Sequence, residues 1–568
     1  MGFCMDERNK KGVGLGRLVG GLTASAVMLT VIQAPANVHL LAWVAWVPFV
    51  LACHPEVRRK RLVFATYLVA FIYWLFNLSW LWPVTGPGYI VFAMWQSVYW
   101  PVLGLTVRFV RRKQWPLTLF VPVVFVGAEA IQSVLFTGFA WFFLAHSQFR
   151  VLPLIQICDI FGALGVSVLV ALVNGLIADG VLEWTARRSI SRRFGCKAAF
   201  TAVVLAVALG YGFYRLAQTP HYVHDGPLLG SVQPNVPSHI KEETDNAQAI
   251  LDDLIVKSQA CIDAGAILVA WPETMVLAAM NPGYLRYLTP DREPRRFERQ
   301  ILAHAEGQAY ILFGAHSYKV GHNLNITDQY NTAFLYRPDG TPDLLQYDKI
   351  HLVPFGEYIP FRHSAPWLYN KILFLSPYEY DYNLTPGDRY TVFTIDDPET
   401  ETTWRFGVLI CYEDTPATVA QRMTVATNGD KRVDFLVNVS NDGWYVYYHD
   451  GRIVPSAELS QRMAISVFRS IENRIAIIRS VNTGISCLID STGRIRDGYQ
   501  AGDLPEAAAR RQAVEGWLVD RIPIDRRVSF FSRWGRWLDG MLGTTLVGLF
   551  VRAILDKKIQ RHKRKHQQ

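Results

Sequence analysis

Charged residues and cysteines are both scarce in this chain of 568 residues. Charged side chains make up only 18% of it, and its seven cysteines include no CxxC pair. Zinc sites and disulfide scaffolds are built from paired cysteines, so the lack of such pairs argues against both. Nothing else in the sequence calls for a metal or an organic cofactor, and we expect neither.

Hydrophobic residues, by contrast, make up 51% of the chain and are unevenly distributed. They are dense before Pro220 and again near the C-terminus, whereas the middle has the composition of a soluble protein. A helix that crosses a bilayer needs ~20 mostly apolar residues. The sequence therefore predicts an α-helical transmembrane bundle of about eight spans, at residues 15–32, 38–52, 62–82, 89–107, 116–135, 152–182, 198–216 and 537–555.

Seven of these spans form a predicted N-terminal membrane domain, residues 1–217, and the eighth precedes a basic tail, residues 556–568. Basic residues also cluster in every second loop, at residues 58–61, 108–113 and 187–197. Basic loops of membrane proteins stay in the cytoplasm. We therefore predict cytoplasmic termini, with the middle domain on the opposite side. The basic loops and tail thus account for the net charge of +9. Because membrane topology explains this charge, we do not expect nucleic-acid binding.

The middle of the chain, residues 226–520, alternates strand-like and helix-like segments, which predicts an α/β domain. Helical spacing of apolar residues predicts helices at 247–264 and 292–305. Buried strands are predicted at 266–270, 309–313, 330–336, 406–410 and 433–438, with a hairpin formed by 474–480 and 485–489.

Three chemically complementary side chains follow or end predicted strands. Glu273 lies beside Trp271 and Pro272, and we expect these apolar neighbours to raise its pKa toward that of a general base. Lys349 would provide a cation for an oxyanion, and Cys411 would be a nucleophile. Taken singly, each has a plainer interpretation: a solvated glutamate, a surface lysine or a packed cysteine.

Four segments in this order resemble the nitrilase (carbon–nitrogen hydrolase) superfamily: WPET at 271–274, YDKIHLVPFGEYIPFR at 347–362, GVLICYED at 407–414 and VNVSNDGW at 437–444. In the membrane part, TGFAW at 137–141 and the following HSQ at 146–148 resemble the GFPW…SQ stretch of the apolipoprotein N-acyltransferase family. With seven spans before and one after the α/β domain, nearly the whole chain resembles that family. The resemblance implies an extracytoplasmic, nitrilase-like αββα sandwich on the transmembrane bundle.

The resemblance also implies a ping-pong acyl transfer in the bacterial inner membrane, with the catalytic domain on the periplasmic side. Glu273 would be the general base, Cys411 the nucleophile that carries a thioester, and Lys349 the oxyanion-stabilising cation, together with the backbone N–H of Tyr412. The acyl donor would be a phospholipid, typically phosphatidylethanolamine. The acceptor would be the α-amine of a diacylglyceryl-cysteine at the N-terminus of an apolipoprotein.

Four further residues match positions around the family's site. The resemblance assigns Glu357 and Glu413 to orientation and charge balance, and Tyr412 and Trp444 to the lining of the pocket. For the two carboxylates, a plainer role at the edge of the pocket stays open.

An apolar stretch interrupts a region that otherwise has the composition of a loop. It contains Trp367, Leu373 and Phe374. Because exposed apolar patches often mark interaction surfaces, we expect this lipid-access segment to dip toward the bilayer and admit acyl chains. The alternative is a small core buried within the loop.

Some positions depart from the family's pattern. Glu242 follows Lys241 where a tryptophan is usual, Gln132 stands where an arginine is common, and Ala140 replaces a proline. Gln461-Arg462 stands in place of a Gln-His pair. These departures concern substrate preference and loop shape more than the three candidate catalytic residues.

Two rival functions follow from the same sequence. A membrane-tethered amidase would use the same three residues with water as acceptor, although a hydrolase has no evident need for eight spans. A receptor or transporter would need no such residues, and a transport path would require inward-facing charges that the spans largely lack.

Overall fold

The structure is a computed structural model that describes residues 14–241, 246–322, 325–362, 364–373 and 382–565, with side chains as far as residue 556. In chain order, the α-helices of the N-terminal part are α1 (Leu15–Val31), α2 (Val47–Ala52), α3 (Arg59–Asn77), α4 (Trp82–Thr85), α5 (Pro87–Ser97), α6 (Tyr99–Arg112), α7 (Leu117–Gln132), α8 (Leu152–Ile155), α9 (Cys158–Phe161), α10 (Ala163–Arg187) and α11 (Arg192–Gln218). The remaining helices are α12 (Ser238–Lys241), α13 (Ala247–Asp263), α14 (Pro282–Leu285), α15 (Glu293–Ala305), α16 (Pro366–Ile372), α17 (Ala417–Thr424), α18 (Ala457–Asn473), α19 (Phe530–Trp534) and α20 (Trp537–Lys565).

An apolar helix lies at each of the eight predicted spans. By length and composition, four helical segments in the described chain are able to cross a bilayer: Pro87–Arg112, Ala163–Arg187, Arg192–His221 and Trp537–Asp556. A fifth is obtained if Arg59–Asn77 and Ser79–Thr85, which meet at 56°, form one span. The other apolar helices are shorter than 18 residues. The number of eight crossings therefore stays a prediction.

The prediction of one continuous span over residues 152–182 is wrong, because the chain breaks at Gly162. This residue has a φ of +68°, and a Cβ there would lie 2.6 Å from the ring of Phe531. Only glycine adopts such a conformation at no steric cost. Helix α10 then starts at Ala163, whose N–H donates a hydrogen bond of 2.9 Å to Glu472 in α18. Contact with the α/β domain thus fixes where the helix begins.

Two β-sheets form the centre of the α/β domain. The strands are β1 (Val223–Gln233), β2 (Leu268–Ala270), β3 (Tyr310–Val320), β4 (Ile326–Tyr336), β5 (Pro342–Asp348), β6 (Phe393–Asp397), β7 (Thr402–Ile410), β8 (Phe435–Ser440), β9 (Tyr447–His449), β10 (Arg452–Val454), β11 (Ala476–Val481), β12 (Cys487–Ile489), β13 (Ala501–Gly502) and β14 (Gly516–Asp525). One sheet has the order β13-β14-β1-β2-β3-β4-β5 and the other β12-β11-β8-β7-β6, while β9 and β10 form a separate pair. The predicted strands and the predicted β11–β12 hairpin are confirmed.

The layers form an αββα sandwich, as the resemblance implied. Apolar residues of both sheets, among them Leu312 and Val408, form one buried core between them. Helices α13 and α15 cover the outer face of the first sheet. In α15, Phe297, Ile301 and Ala305 recur at four-residue spacing and are fully buried, which is the pattern of a helix with one apolar face.

Helix α18 joins the α/β domain to the membrane part. All its residues from Glu458 onward are buried, and six of its apolar residues, between Met463 and Ile471, belong to the same hydrophobic cluster as the membrane helices. At its end, Arg474 donates to Asp159 (Nη2–Oδ2 2.7 Å), and Arg215 of α11 pairs with the same carboxylate at 2.9 Å. The two parts therefore share one core and a buried ionic contact.

The sheets bring the ends of several strands to one edge. Strand β2 runs parallel to β3, while β4 is antiparallel to β3 and to β5, so that β2, β3 and β5 point the same way. In the second sheet β7, β8 and β11 are parallel. Ligand sites in parallel sheets lie beyond the carboxyl ends of the strands, and Glu273, Lys349 and Cys411 all lie just beyond such ends.

Candidate active site

Cys411 stands at a strained turn at the end of β7. Strand β7 ends at Ile410, and the chain continues directly into a 3₁₀ helix, Cys411–Asp414. Cys411 has a φ of +51°, in the left-handed region, and is only 5% exposed. A non-glycine residue in this region costs of order 1–3 kcal/mol, and such residues cluster at functional sites. The rigid strand thus holds the thiol in a fixed, buried position.

Glu273 follows β2 and is held by hydrogen bonds on both carboxylate oxygens. Its Oε1 accepts from Asn331 Nδ2 at 2.7 Å and from Lys349 Nζ at 3.2 Å. Its Oε2 accepts from the backbone N–H of Asn441 at 2.9 Å. Gly314 in β3 allows this close packing, because a Cβ there would lie 2.7 Å from the Cα of Glu273.

Lys349, the residue after β5, lies between two carboxylates. Its ammonium is 3.2 Å from Oε1 of Glu273 and 2.7 Å from Oε1 of Glu357, and the side chain is 1% exposed. Glu357 is held in turn by Asn331 Nδ2 at 3.1 Å and by the N–H of Val353 at 2.8 Å. The structure thus brings Glu357 into direct contact with the candidate cation.

The pKa of Glu273 is shifted in the direction opposite to the one expected from the sequence. Burial opposes ionisation of Glu273, but the Lys349 ammonium and the hydrogen bonds from Cys411 and Asn331 outweigh it and lower its pKa below 4.5. The expectation of a raised pKa is therefore wrong, since it considered only the apolar neighbours. Burial raises the pKa of the Cys411 thiol to about 12. At neutral pH the site thus holds a neutral thiol hydrogen-bonded to a carboxylate.

Glu413 does not contact the cation directly. Its Oε1 accepts from the N–H groups of Ile350 (2.8 Å) and His351 (3.0 Å), and its Oε2 accepts from the N–H of Ile410 (2.8 Å). Tyr347 donates its hydroxyl to the same carboxylate at 2.9 Å. Burial raises the pKa of Glu413 to about 7. This side chain therefore ties the segment after Lys349 to the strand that carries the thiol.

The two predicted pocket aromatics have different surroundings. The hydroxyl of Tyr412 donates to the carbonyl of Gly138 in the membrane part at 3.0 Å. Its ring is nearly parallel to that of Trp141, at 6.5 Å between centroids. Trp444 is half-buried in the 3₁₀ helix Asp442–Tyr445. The next residue, Tyr445, makes the ring contact in this turn, against Trp80 of the membrane part.

Sequence reasoning missed several residues of the site. Asn331 bridges the two carboxylates, and the backbone of Asn441 positions Glu273. The one available signal was a polar residue just before the part of strand β4 that becomes apolar, from Ala333 onward. The contacts of a backbone N–H such as that of Asn441 leave no trace in the sequence.

Two positions that depart from the family's pattern hold the loop that follows α7. Gln132 donates to the carbonyls of Phe139 (3.0 Å) and Trp141 (3.1 Å) and so shapes the loop after α7. Gln461 of α18 accepts from the indole N–H of Trp141 at 2.8 Å. The loop that touches Tyr412 is therefore held from both sides.

The lipid-access segment is described in part. Trp367 lies on α16 and is 66% exposed, and Leu373 is half-buried, whereas Phe374 lies outside the described residues. Lys371 Nζ lies 5.6 Å from the ring centroid of Trp367. Within the described chain, no group of three or more His, Cys, Asp or Glu side chains is arranged to hold a metal ion.

Comparison with known proteins agrees with the two-part architecture. Residues 25–176 match the family model described as apolipoprotein N-acyltransferase N-terminal domain, and residues 228–504 match carbon-nitrogen hydrolase. The apolipoprotein N-acyltransferase of Geobacter metallireducens is 31% identical over 90% of this chain and 90% of its own length.

The chain belongs to the apolipoprotein N-acyltransferase family. The protein of the same name from Chlorobaculum tepidum is 27% identical over 87% of this chain and 88% of its own. Among solved structures, an amidase of the nitrilase superfamily from Nesterenkonia AN1 covers 52% of this chain and 91% of its own, with 13% identity and a TM-score of 0.33.

Membership in this family makes the chain a membrane-associated enzyme of lipoprotein biosynthesis, with lipid and lipoprotein substrates. Its carbon–nitrogen hydrolase domain is the catalytic one. The membrane part contributes the loop that contacts Tyr412 beside the candidate nucleophile.

The charge arrangement predicts the effect of replacing Lys349 with methionine. Without the ammonium, burial dominates and raises the pKa of Glu273. Because the base must be ionised to act, the acid limb of the rate–pH profile should move to higher pH. The rate at neutral pH should fall ~10²–10³-fold through loss of oxyanion stabilisation.

The measurement is the rate of acyl-thioester formation against pH in detergent micelles. Lys319→Met is the control, since that lysine is 69% exposed and lies 3.8 Å from its partner Asp328. An acid limb that stays in place in Lys349→Met would show that Lys349 does not set the ionisation of Glu273.

Proposed function

We propose that this chain transfers an acyl chain from a phospholipid to the free α-amino group of the N-terminal diacylglyceryl-cysteine of apolipoproteins, through a thioester on Cys411. The observation that carries the proposal is the buried contact of Lys349 with Glu273 beside the thiol. Base, cation and nucleophile lie within one site. That site also contacts the membrane part through Tyr412.

In the first half-reaction, Cys411 gives its proton to Glu273 and its sulfur attacks the ester carbonyl of the phospholipid. Negative charge develops on the carbonyl oxygen, where Lys349 and the backbone N–H of Tyr412 would stabilise it. The C–O bond then breaks, and the lysophospholipid leaves with the proton returned by Glu273. A thioester remains on Cys411.

In the second half-reaction, the α-amine of the acceptor attacks the thioester carbonyl and passes a proton to Glu273. The C–S bond breaks, an amide forms, and the thiolate recovers the proton from Glu273. The pKa of Glu273, lowered by Lys349, leaves the carboxylate ready to accept a proton in both halves.

Glu357 and Glu413 act by orientation in this mechanism. Glu357 holds the ammonium of Lys349 through a second carboxylate contact, at 2.7 Å. Glu413 fixes the backbone on both sides of the site, between Ile350 and Ile410. Tyr412 and Trp444 are proposed to line the pocket for the acyl chain.

The membrane part provides access for substrates that live in a bilayer. We place the catalytic domain on the periplasmic side of the bacterial inner membrane and both termini in the cytoplasm, because the basic loops alternate consistently. The proposed donor is phosphatidylethanolamine, and the acceptor is a diacylated apolipoprotein held in the same membrane.

The direct test is mass spectrometry of the purified full-length protein after incubation with phosphatidylethanolamine. We expect the Cys411 peptide to gain the mass of one acyl chain, and a diacylated lipopeptide to remove it as an amide product. A Cys411→Ala variant is the control. Absence of the adduct, or discharge to water at the same rate with and without the lipopeptide, would contradict the proposal.

The lipid-access segment is proposed to dip into the bilayer through Trp367, together with Leu373 and Phe374. Trp367→Ser should slow acyl-enzyme formation from phospholipid by about tenfold, since a loss of ~1.5 kcal/mol of apolar contact corresponds to that factor. Acyl-enzyme formation from a water-soluble ester should change little, because that donor needs no bilayer contact.

Trp534→Ser is the matched control, since Trp534 is 69% exposed on a different helix. The two donors are compared by the same mass measurement. Equal losses with both donors in Trp367→Ser would show that the segment does not admit lipids.

A further inference from the structure

A group of five charged side chains lies buried beside the candidate site. We call it the Arg462 cluster; its members are Asp414, Asp442, Glu458, Arg462 and Arg479. None is more than 1% exposed. Removing charges from water costs several kcal/mol per ion, and the acyl-transfer steps do not use these groups. The cluster therefore needs an explanation of its own.

Arg462 joins two turns that flank the nucleophile. Its Nε lies 3.2 Å and 3.3 Å from the two carboxylate oxygens of Asp414, the last residue of the 3₁₀ helix that begins with Cys411. Its Nη1 donates to Asp442 at 2.8 Å, at the start of the 3₁₀ helix Asp442–Tyr445. The planar guanidinium presents several donors at fixed angles, so one side chain is able to hold both turns.

Arg479 strengthens the same arrangement from β11. Its Nη1 donates to Asp414 at 2.6 Å, and its Nη2 lies 4.0 Å from Asp442. Both carboxylates thus face two guanidinium groups.

Glu458, the fifth member, lies against Arg462. Its Oε1 is 3.6 Å from Arg462 Nη1, and neither carboxylate oxygen has a hydrogen-bond partner within the described residues. Burial and the neighbouring Asp442 raise the pKa of Glu458 well above 4.5. Burial opposes the charge of Arg462, but Asp414 and Asp442 outweigh it and raise its pKa, so Arg462 keeps its charge.

The charge of Arg462 acts on the thiol. Burial raises the pKa of Cys411, and among the charges that oppose this effect Arg462 acts more strongly than Lys349. Lys349 is already engaged by Glu273 and Glu357. Arg462 also has one nitrogen, Nη2, without a hydrogen-bond partner in the described chain.

We propose that Arg462 is a positioning residue of the acyl-transfer site: it clamps the Cys411–Asp414 turn to the Asp442–Tyr445 turn and places a permanent positive charge near the sulfur. This role rests on Cys411 being the nucleophile proposed above. A histidine, usual at this position in the resemblance noted from the sequence, would lack the fixed fork of donors and is easily neutral when buried.

The test compares the alkylation of Cys411 by iodoacetamide at different pH values in the wild type and in Arg462→Met, using full-length protein in detergent micelles. Peptide mass spectrometry separates Cys411 from the other cysteines, and the exposed Cys196 is the internal reference. The other charged or titratable groups that act on the thiol, Glu273, Lys349, Glu357 and Tyr445, are unchanged.

We expect the alkylation midpoint of Cys411 to rise by about one pH unit in Arg462→Met, which makes alkylation about tenfold slower below the midpoint. Arg511→Met is the matched control. Arg511 is equally buried, but it donates to the backbone carbonyls of Ser486, Gly498, Pro505 and Glu506. The alkylation midpoint of Cys411 in Arg511→Met should equal that of the wild type. Equal midpoints in Arg462→Met and Arg511→Met would overturn the proposal.

Arg462→Lys separates the charge from the clamp and decides the matter if the methionine variant does not fold. Its ammonium keeps the charge, so the midpoint should stay within a few tenths of a unit of the wild type. A single ammonium does not hold both turns, so acyl transfer should slow by about tenfold. A midpoint raised by a full unit, or a wild-type transfer rate, would overturn the proposal. If the proposed acyl transfer itself is wrong, wild-type Cys411 will carry no acyl adduct. The alkylation midpoint of Cys411 will still be higher in Arg462→Met than in the wild type.

Discussion

The ammonium of Lys349, buried between the carboxylates of Glu273 and Glu357, is the interaction on which the site depends. Breaking such a buried pair typically costs about 3–5 kcal/mol, because a charge is left without compensation. The ammonium lowers the pKa of Glu273 although the side chain is buried. Without it, burial would dominate and Glu273 would tend to bind a proton, so that no ionised base would face the thiol.

The rest of the fold holds these charges in place. Parallel strands deliver Glu273, Lys349 and Cys411 to one edge of the sandwich, and Glu413 ties the segment after β5 to the end of β7. On the far side of the second sheet, α18 shares its core with the membrane helices. The catalytic domain is therefore not a soluble enzyme on a tether: its inner helix is part of the membrane assembly, and Tyr412 touches the membrane loop through Gly138.

Much of the α/β fold could be predicted from the sequence because the signals that specify its strands and helices are local. Apolar periodicity located five strands, one hairpin and two helices of the α/β domain. Each candidate residue was expected to follow or end a strand, but the sheet order that brings all three to one edge was not predicted. The pKa of Glu273 was predicted in the wrong direction because its decisive neighbour, Lys349, is distant in sequence and adjacent only in the folded sheet. The contacts of Asn331 and Glu413 depend likewise on strand register. The break at Gly162 escaped prediction because Phe531 and Glu472, which surround it, belong to the other end of the chain.

The central claim is that acyl transfer passes through an enzyme-bound thioester in a site built by both parts of the chain. Rapid mixing of the full-length protein with phospholipid in the absence of acceptor tests it most directly, with released lysophospholipid as the measured quantity. We expect a burst of one lysophospholipid per active site, followed by arrest until a diacylated lipopeptide is added. Continuous release together with free fatty acid, or no release before the lipopeptide is present, would contradict it.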